Sequence, residues 1–436
     1  MASTDILHQT LPDGTVRQWH PLTGLEVLGV PGRGARPLES PGPAGALPLQ
    51  TPAGLEDFCD FCPGSALLST PEKARLAEDG RGGPPSTLAR EPLSRQAATR
   101  PLFRRFANLF PILSLEFWKK NHGHVLGRDE RAWMEAYLAQ GAGAAHVRDR
   151  LEYWWKRGVG GALPVEWRPL AEEFFGGGHD LVVSGRHYRE GARFTHEMQS
   201  SGSMTPGEHE AYLRFTAEAA LDLRRAFPEA GSVAVFQNWK AGAGASLEHL
   251  HKQVLCLEGW GPSLERAAGL LKDEPGLYNR LVPKFSGDAG LALAENAEAL
   301  AVVMPGQVHP TVGLFSKAPG GRLEDLSPAQ WRGLSDLVQA THAALGPGEP
   351  SNEEWVARPP GFALPLPLHL FVRWRSHLTG GLESGTGVYV NPHTPAAFRE
   401  RMAGRLKALR AEGRVASCRV AEECGCEPDC LRYAVR

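Results

Sequence analysis

Phe236-Gln237-Asn238-Trp239-Lys240, followed by Ala241-Gly242-Ala243-Gly244-Ala245-Ser246 and then His249-Leu250-His251-Lys252-Gln253, is the most informative stretch of this chain. Apolar and β-branched residues from Val233 to Phe236 predict a strand, and those from His249 to Leu257 predict another. Side chains two apart on a strand share a face, so His249, His251 and Gln253 are expected on one surface. Two imidazoles and an amide there can bind a metal, attack phosphorus or hold an anion. They can equally be the polar side of a half-buried strand. The glycine- and alanine-rich link is either a plain turn or a loop that brings backbone N–H groups and the Ser246 hydroxyl close to phosphates.

The 436 residues can bury a large core and suggest two or three domain-sized units. Hydrophobic content of 42% and charged content of 22% are those of an ordinary globular protein. A net charge of −2 gives no global electrostatic case for binding nucleic acid. No run approaches the ~20 apolar residues that span a bilayer. Met1-Ala2-Ser3-Thr4-Asp5 lacks a signal-peptide pattern, so a cytoplasmic protein with no membrane partner is expected. Reduced cysteines then serve as metal ligands more readily than as disulfides. Cys59 and Cys62 form C-x-x-C, Cys256 reads as core, and Cys418, Cys424, Cys426 and Cys430 crowd the C-terminal end. Those four thiols could hold zinc, an iron–sulfur cluster or nothing.

Residues 28–54 and 77–100 are rich in Pro, Gly, Ser and Arg and read as loops or arms. Residues 115–175 carry Trp118, Trp133, Trp154, Trp155 and Trp167 among charges at helical spacing, which predicts a helical insertion with packed aromatics. Thr205-Pro206-Gly207-Glu208 is a capping box that starts a helix to about Phe227. Ser327-Pro328-Ala329-Gln330 starts a second helix, and Thr394-Pro395 a third over Phe398–Leu409. Strands are expected at 180–184, 233–236, 249–257, 299–304, 311–316, 368–374 and 386–391. The sum is an α+β protein of mainly antiparallel sheets with packed helices. Strands, a helix and further strands recur at 180–257 and 299–391, which suggests a duplicated unit.

These motifs in this order resemble the galactose-1-phosphate uridylyltransferase-like family, the transferase branch of the histidine-triad superfamily. His20-Pro21-Leu22-Thr23-Gly24 and Arg33-Gly34-Ala35-Arg36-Pro37 are similar to its N-P-L-T-G-x-W and R-x-x-R-P stretches. Phe58 to Gly64 resembles its zinc knuckle, and Ala107-Asn108-Leu109-Phe110-Pro111 its N-x-F/Y-P-A motif. His179-Asp180-Leu181-Val182-Val183-Ser184-Gly185-Arg186-His187 resembles its H-E-V-I-V-E-x-P-x-H strand. Asn238 to Gln253 keeps the family spacing, and Glu295-Asn296 with Ala301-Val302-Val303 resembles the start of its second half.

The resemblance implies two histidine-triad-like halves, at 1–257 and 258–410, with a cysteine-rich tail at 411–436. It implies structural zinc on Cys59, Cys62, His187 and His249. His251 becomes the nucleophile towards the α-phosphorus of a nucleoside diphosphate sugar, and Gln253 the donor to its phosphoryl oxygens. Arg33, Arg36, Asn108, Asn238 and Ser246 match nucleotide-binding positions. The H-x-H-x-Q pattern resembles transferases, whereas hydrolase branches resemble H-x-H-x-H. A nucleotidyl-His251 intermediate would therefore pass to a sugar 1-phosphate or related acceptor, and the family is commonly dimeric.

Two stretches depart from the family. Glu354-Trp355-Val356-Ala357 has valine where a histidine of the family's second metal site would fall, and Leu368-His369-Leu370-Phe371 keeps only one histidine, so that site is expected to be absent. Glu383-Ser384-Gly385-Thr386-Gly387-Val388-Tyr389-Val390-Asn391-Pro392 lacks its pattern for hexose hydroxyls. Two other readings remain open: a phosphorylase of dinucleoside polyphosphates or nucleoside diphosphate sugars through the same histidine, and a non-catalytic, zinc-stabilised nucleotide-binding protein.

Overall fold

The structure is a computed structural model that describes residues 8–11, 15–20, 23, 25–29, 46–49, 59–78 and 85–434. Its first strands are β1 (His8–Thr10), β2 (Val16–Trp19), β3 (Glu26–Gly29), β4 (Glu72–Ala77), β5 (Ser86–Ala89) and β6 (Pro101–Ala107). Next come β7 (His179–Ser184), β8 (Ser232–Trp239), β9 (His251–Leu257), β10 (Ala292–Glu295) and β11 (Ala299–Val303). The last are β12 (Thr311–Ser316), β13 (Ser351–Val356), β14 (His369–Trp374), β15 (Val388–Asn391) and β16 (Arg419–Val420). Twelve of them form one sheet, in the order β16-β10-β11-β12-β14-β13-β8-β9-β7-β6-β4-β5. β1, β2, β3 and β15 make a small second sheet.

The large sheet reads the same way outwards from its centre. β8 pairs with β13 antiparallel, Asn238 facing Asn352. From that seam, β9, β7, β6 and β4 follow on one side, and β14, β12, β11 and β10 on the other. Each half runs strand, strand, capping-box helix, strand, strand, with helices Pro206–Ala226 and Pro328–Leu345 in matching places. The duplicated α+β unit expected from the sequence is therefore present. The two helices cover one face of the sheet around a core that contains Tyr212, Leu213, Leu334, Val338, Val254 and Leu370. His209 and Ser335 join them by a 2.7 Å hydrogen bond.

A buried ion pair crosses the seam on this helix side. Lys252 Nζ lies 2.6 Å from Glu353 Oε1, with both side chains fully buried. Glu353 also accepts from His342 Nε2 at 2.8 Å and from Trp355 Nε1 at 2.6 Å. Burying two charges is tolerable only with partners of this quality. Because Lys252 sits between His251 and Gln253, the pair turns those two side chains to the opposite face.

The tryptophan-rich insertion is helical as expected, at Leu115–His122, Arg128–Leu138, Gly141–Gly158 and Glu172–Gly176. Trp118 and Trp133 are buried, while Trp154, Trp155 and Trp167 are half-buried. The helix begun by Thr394 spans Pro395–Ala411.

Several strands were not expected. β5 lies inside the stretch read as loops, and β4, β6 and β13 were missed because they carry charge. Arg75 pairs with Glu72, Lys73 and Arg105 both pair with Asp180, and Glu353 takes Lys252. Pairing of opposite charges, within β4 for Arg75 and Glu72 and between strands for the others, lets these polar residues occupy buried positions. β9 begins at His251, so His249 and Leu250 form its lead-in. No described helix is long and apolar enough to cross a membrane.

Candidate metal centre and active site

Cys59 and Cys62 lie in the turn before the short helix Pro63–Leu68, where the Cys62 N–H donates to the Cys59 carbonyl at 3.0 Å. That turn brings both thiols towards His187, just after β7, and His249, just before β9. The ligand atoms of all four residues lie within 4.8 Å of one another. The two sulfurs are 3.6 Å apart, and the four sulfur-to-Nδ1 distances run from 3.3 to 3.9 Å. Tetrahedral zinc with ~2.3 Å bonds to sulfur and ~2.0 Å to nitrogen requires separations of about 3.8 and about 3.5 Å. The residues fit the ion. Ser184 supplies the outer support, because its carbonyl accepts from His249 Nε2 at 2.8 Å. That proton assignment leaves the Nδ1 lone pair facing the cysteines. A hydrogen bond from Cys62 pulls the Cys59 thiol below its ordinary value, which favours the ligating thiolate.

One carbonyl links this centre to the candidate nucleophile. His251 Nδ1 lies 2.7 Å from the His249 carbonyl oxygen. A carbonyl can only accept, so Nδ1 carries the proton and Nε2 presents its lone pair. Burial, more than any neighbour, depresses the His251 imidazole to about 4, so it is neutral at pH 7. Phe61, from between the two cysteines, packs edge-on to the His251 ring at 5.4 Å. Arg104 holds Phe61 in turn by donating to its carbonyl.

Gln253 shares the His251 face of β9. Its Oε1 accepts from His179 Nε2 at 3.0 Å, while His179 Nδ1 accepts from the Ile112 N–H at 3.1 Å. Both contacts agree on one tautomer. With its oxygen so engaged, Gln253 turns its NH2 group away from His179. His179 was only part of a quoted motif in the sequence. Its tie to Gln253 depends on register: Leu181 faces Gln253, which places His179 on the adjoining diagonal.

Asn108 lies beside the same imidazole, its Nδ2 3.3 Å from His179 Nε2, and its Oδ1 accepts from the Phe110 N–H at 3.0 Å. Asn238 accepts at 2.7 Å from Asn352, which also donates to the Ala243 carbonyl at 2.9 Å. The second half therefore holds the glycine-rich loop in place, a role for Asn352 that the sequence did not suggest. Gly244 has φ +86°, a left-handed conformation that favours glycine and lets this loop turn. Ser246 is exposed on it. Arg33 and Arg36 lie outside the described residues.

A family model described as a domain of unknown function, DUF4921, matches residues 11–433. The chain belongs to that family. No curated protein matches it in sequence. In structure it is similar to an ADP-glucose phosphorylase from Arabidopsis thaliana with bound ADP-glucose. Identity is 17%, TM-score 0.56, and the match covers 88% of this chain and 97% of that one. A GalT-like protein from Arabidopsis thaliana matches at 18% identity and TM-score 0.53, covering 80% of this chain and 92% of that one. These likenesses establish the fold: this DUF4921 member shares the fold of that ADP-glucose phosphorylase and that GalT-like protein in divergent form.

The four tail cysteines do not come together as the first four ligands do. Among the described residues they form no metal-holding group. Cys418 is packed in the core beneath the two long helices, whereas Cys424, Cys426 and Cys430 belong to a separate apolar cluster around Leu277 and Phe315. Burial raises the thiol of Cys424 to about 12 and that of Cys430 to about 11, so both stay protonated.

Proposed function

We propose that the protein is a nucleotidyltransferase of the uridylyltransferase-like kind, working through a nucleotidyl-His251 intermediate. The observation that carries this reading is the His251 imidazole, its Nδ1–H fixed on the His249 carbonyl and its Nε2 left to attack. Nε2 attacks the α-phosphorus of a nucleoside diphosphate sugar, a P–N bond forms, and the bond to the departing sugar phosphate breaks. The His249 carbonyl accepts from Nδ1–H and so steadies the positive charge that grows on the ring. The Gln253 amide donates to the phosphoryl oxygens. An oxygen of the acceptor phosphate then attacks the same phosphorus, and the pair of electrons in the P–N bond returns to Nε2. Cys59, Cys62, His187 and His249 would hold a structural zinc, which would fix the segments that carry Phe61 and the His249 carbonyl rather than act on the substrate.

Asn108, Asn238 and Ser246, with Arg33 and Arg36, complete the nucleotide site in this reading. The same reading divides the chain into halves at 1–257 and 258–410 with a tail at 411–436, and makes the protein a cytoplasmic homodimer. A phosphorylase is favoured as the second reading by the changed segment Glu383–Pro392, which lacks the family pattern for a hexose acceptor. Inorganic phosphate then takes the acceptor's place.

Because the ADP-glucose phosphorylase of similar fold holds ADP-glucose, nucleoside diphosphate sugars are the first ligands to try. Incubation with UDP-glucose, ADP-glucose or diadenosine tetraphosphate, followed by intact-mass analysis, should show one nucleotidyl adduct and name the base. Absence of an adduct with every nucleotide would leave a zinc-stabilised binding protein.

A further inference from the structure

The register of the large sheet draws a row of polar side chains across the face opposite the two long helices. Continued two residues past its last pair, Phe236 with Gln253, the β8–β9 register sets Asn238 across from His251. Asn352 faces Asn238, and Arg373 faces Asn352. Beyond β14 the alternation returns Arg375 to this face, where its Nη1 donates to Asn352 Oδ1 at 3.4 Å. Arg373 is neutralised by Glu354 at 2.9 Å, but Arg375 has no carboxylate partner among the described residues.

Polar atoms here lack partners. His309 is 5% exposed and Gln307 3% exposed, yet among the described residues His309 Nδ1 and Gln307 Nε2 make no hydrogen bond, nor does Arg375 Nε. The His309 ring lies 4.6 Å from that of His377. After burial itself, the charges of Arg375, His377 and Arg373 are what depress His309, to about 3. Buried donors with nothing to donate to, in a positive field, are the makings of an anion site.

We propose that Arg375, positioned by Asn352, together with Gln307 and His309 holds a second phosphate of the substrate, one borne by the part that leaves or accepts. Three strand spacings separate the backbones of β9 and β14, on the order of 14 Å, and the Arg375 side chain folds back by about one of them. A group held there is too far from His251 to be the phosphate attached directly to the reacting phosphorus. The substrate class is therefore one whose leaving or accepting part ends in a further phosphate, such as a polyphosphate chain or a doubly phosphorylated sugar. The phosphate site stands on its own residues, and only its place in the reaction rests on the nucleotidyl-transfer reading.

Calorimetric titration with inorganic phosphate tests the site without any turnover. Wild type should bind, Arg375→Gln should bind at least tenfold more weakly, and Arg375→Lys should fall between, since lysine keeps the charge but loses the fork. The Lys variant also answers for the site should the Gln variant fail to fold. Equal affinity in wild type and both variants, or no binding to wild type, overturns the proposal. Tripolyphosphate and glucose 1,6-bisphosphate identify the bearer: whichever gains more over inorganic phosphate, and loses that gain in Arg375→Lys, is the better mimic. If no nucleotide ever labels His251 while phosphate binding still depends on Arg375, transfer fails and the anion site stands.

Discussion

His251 and His369 occupy the same place in the two halves of the sheet, and only one of them has a polar side chain two residues on along its strand. Each is the first residue of its strand, and each donates Nδ1–H to the carbonyl two residues back, His249 at 2.7 Å and Pro367 at 2.8 Å. Position and tautomer thus belong to the duplicated fold. The neighbours set the two apart. In the first half, residue 249 belongs to the cluster that could hold a metal, residue 253 is a glutamine, and Phe61 packs T-shaped against the ring. In the second half, the matching places hold Pro367 and Phe371, and Phe315 stacks on His369 at 4.9 Å. A nucleophile here requires a donor beside it as well as a correctly held imidazole.

The largest expected effect comes from removing the zinc knuckle. Cys62→Ser should lose bound metal and soften the His249 carbonyl and Phe61 together, with at least several kcal/mol of stability. Metal analysis beside thermal unfolding checks this, and full zinc content in the variant would refute the ligand assignment. Next comes the seam. Lys252→Met leaves Glu353 buried with its charge uncompensated, at a cost of ~3–5 kcal/mol in denaturant unfolding.

Gln253→Ala removes a donor aimed at charge that develops on the phosphoryl group, so adduct formation should slow by about 10²–10³-fold. A rate within twofold of wild type would mean that Gln253 contributes nothing to the step. The smallest effect is on pH dependence in the closed half. Burial holds His369 at about 4, against about 6.5 in the unfolded chain. Between those values the unfolded state binds a proton that the folded state does not. Stability is therefore lost as pH falls from about 6.5 towards about 4, by about 3 kcal/mol for this one group. His369→Phe should flatten that part of the unfolding curve. An unchanged slope would show that His369 is not titrating as described.

The same contrast explains what the sequence revealed. His249, His251 and Gln253 were legible because period-two spacing on a strand places side chains without knowledge of the fold. Cys59 and Cys62 announced by their spacing a cluster that could hold a metal, and the capping boxes at Thr205 and Ser327 marked both long helices. His179, Asn352 and Arg375 were not legible as site residues, since each acquires its role from the register of strands far apart in the chain. β4, β6 and β13 were hidden because Arg75, Arg105 and Glu353 read as surface until their partners are known. The tail cysteines show the converse: among the described residues, closeness in sequence does not gather them into a group that could hold a metal.

Uptake of a nucleotide by His251 is the central claim. Wild-type protein, His251→Asn and His369→Asn should be incubated with nucleoside diphosphate sugars and diadenosine tetraphosphate, then weighed intact. The expected result is a gain of one nucleoside monophosphate on wild type, released by a phosphate acceptor, present on His369→Asn and missing from His251→Asn. An adduct that persists in His251→Asn, or that disappears only with His369, would contradict the claim.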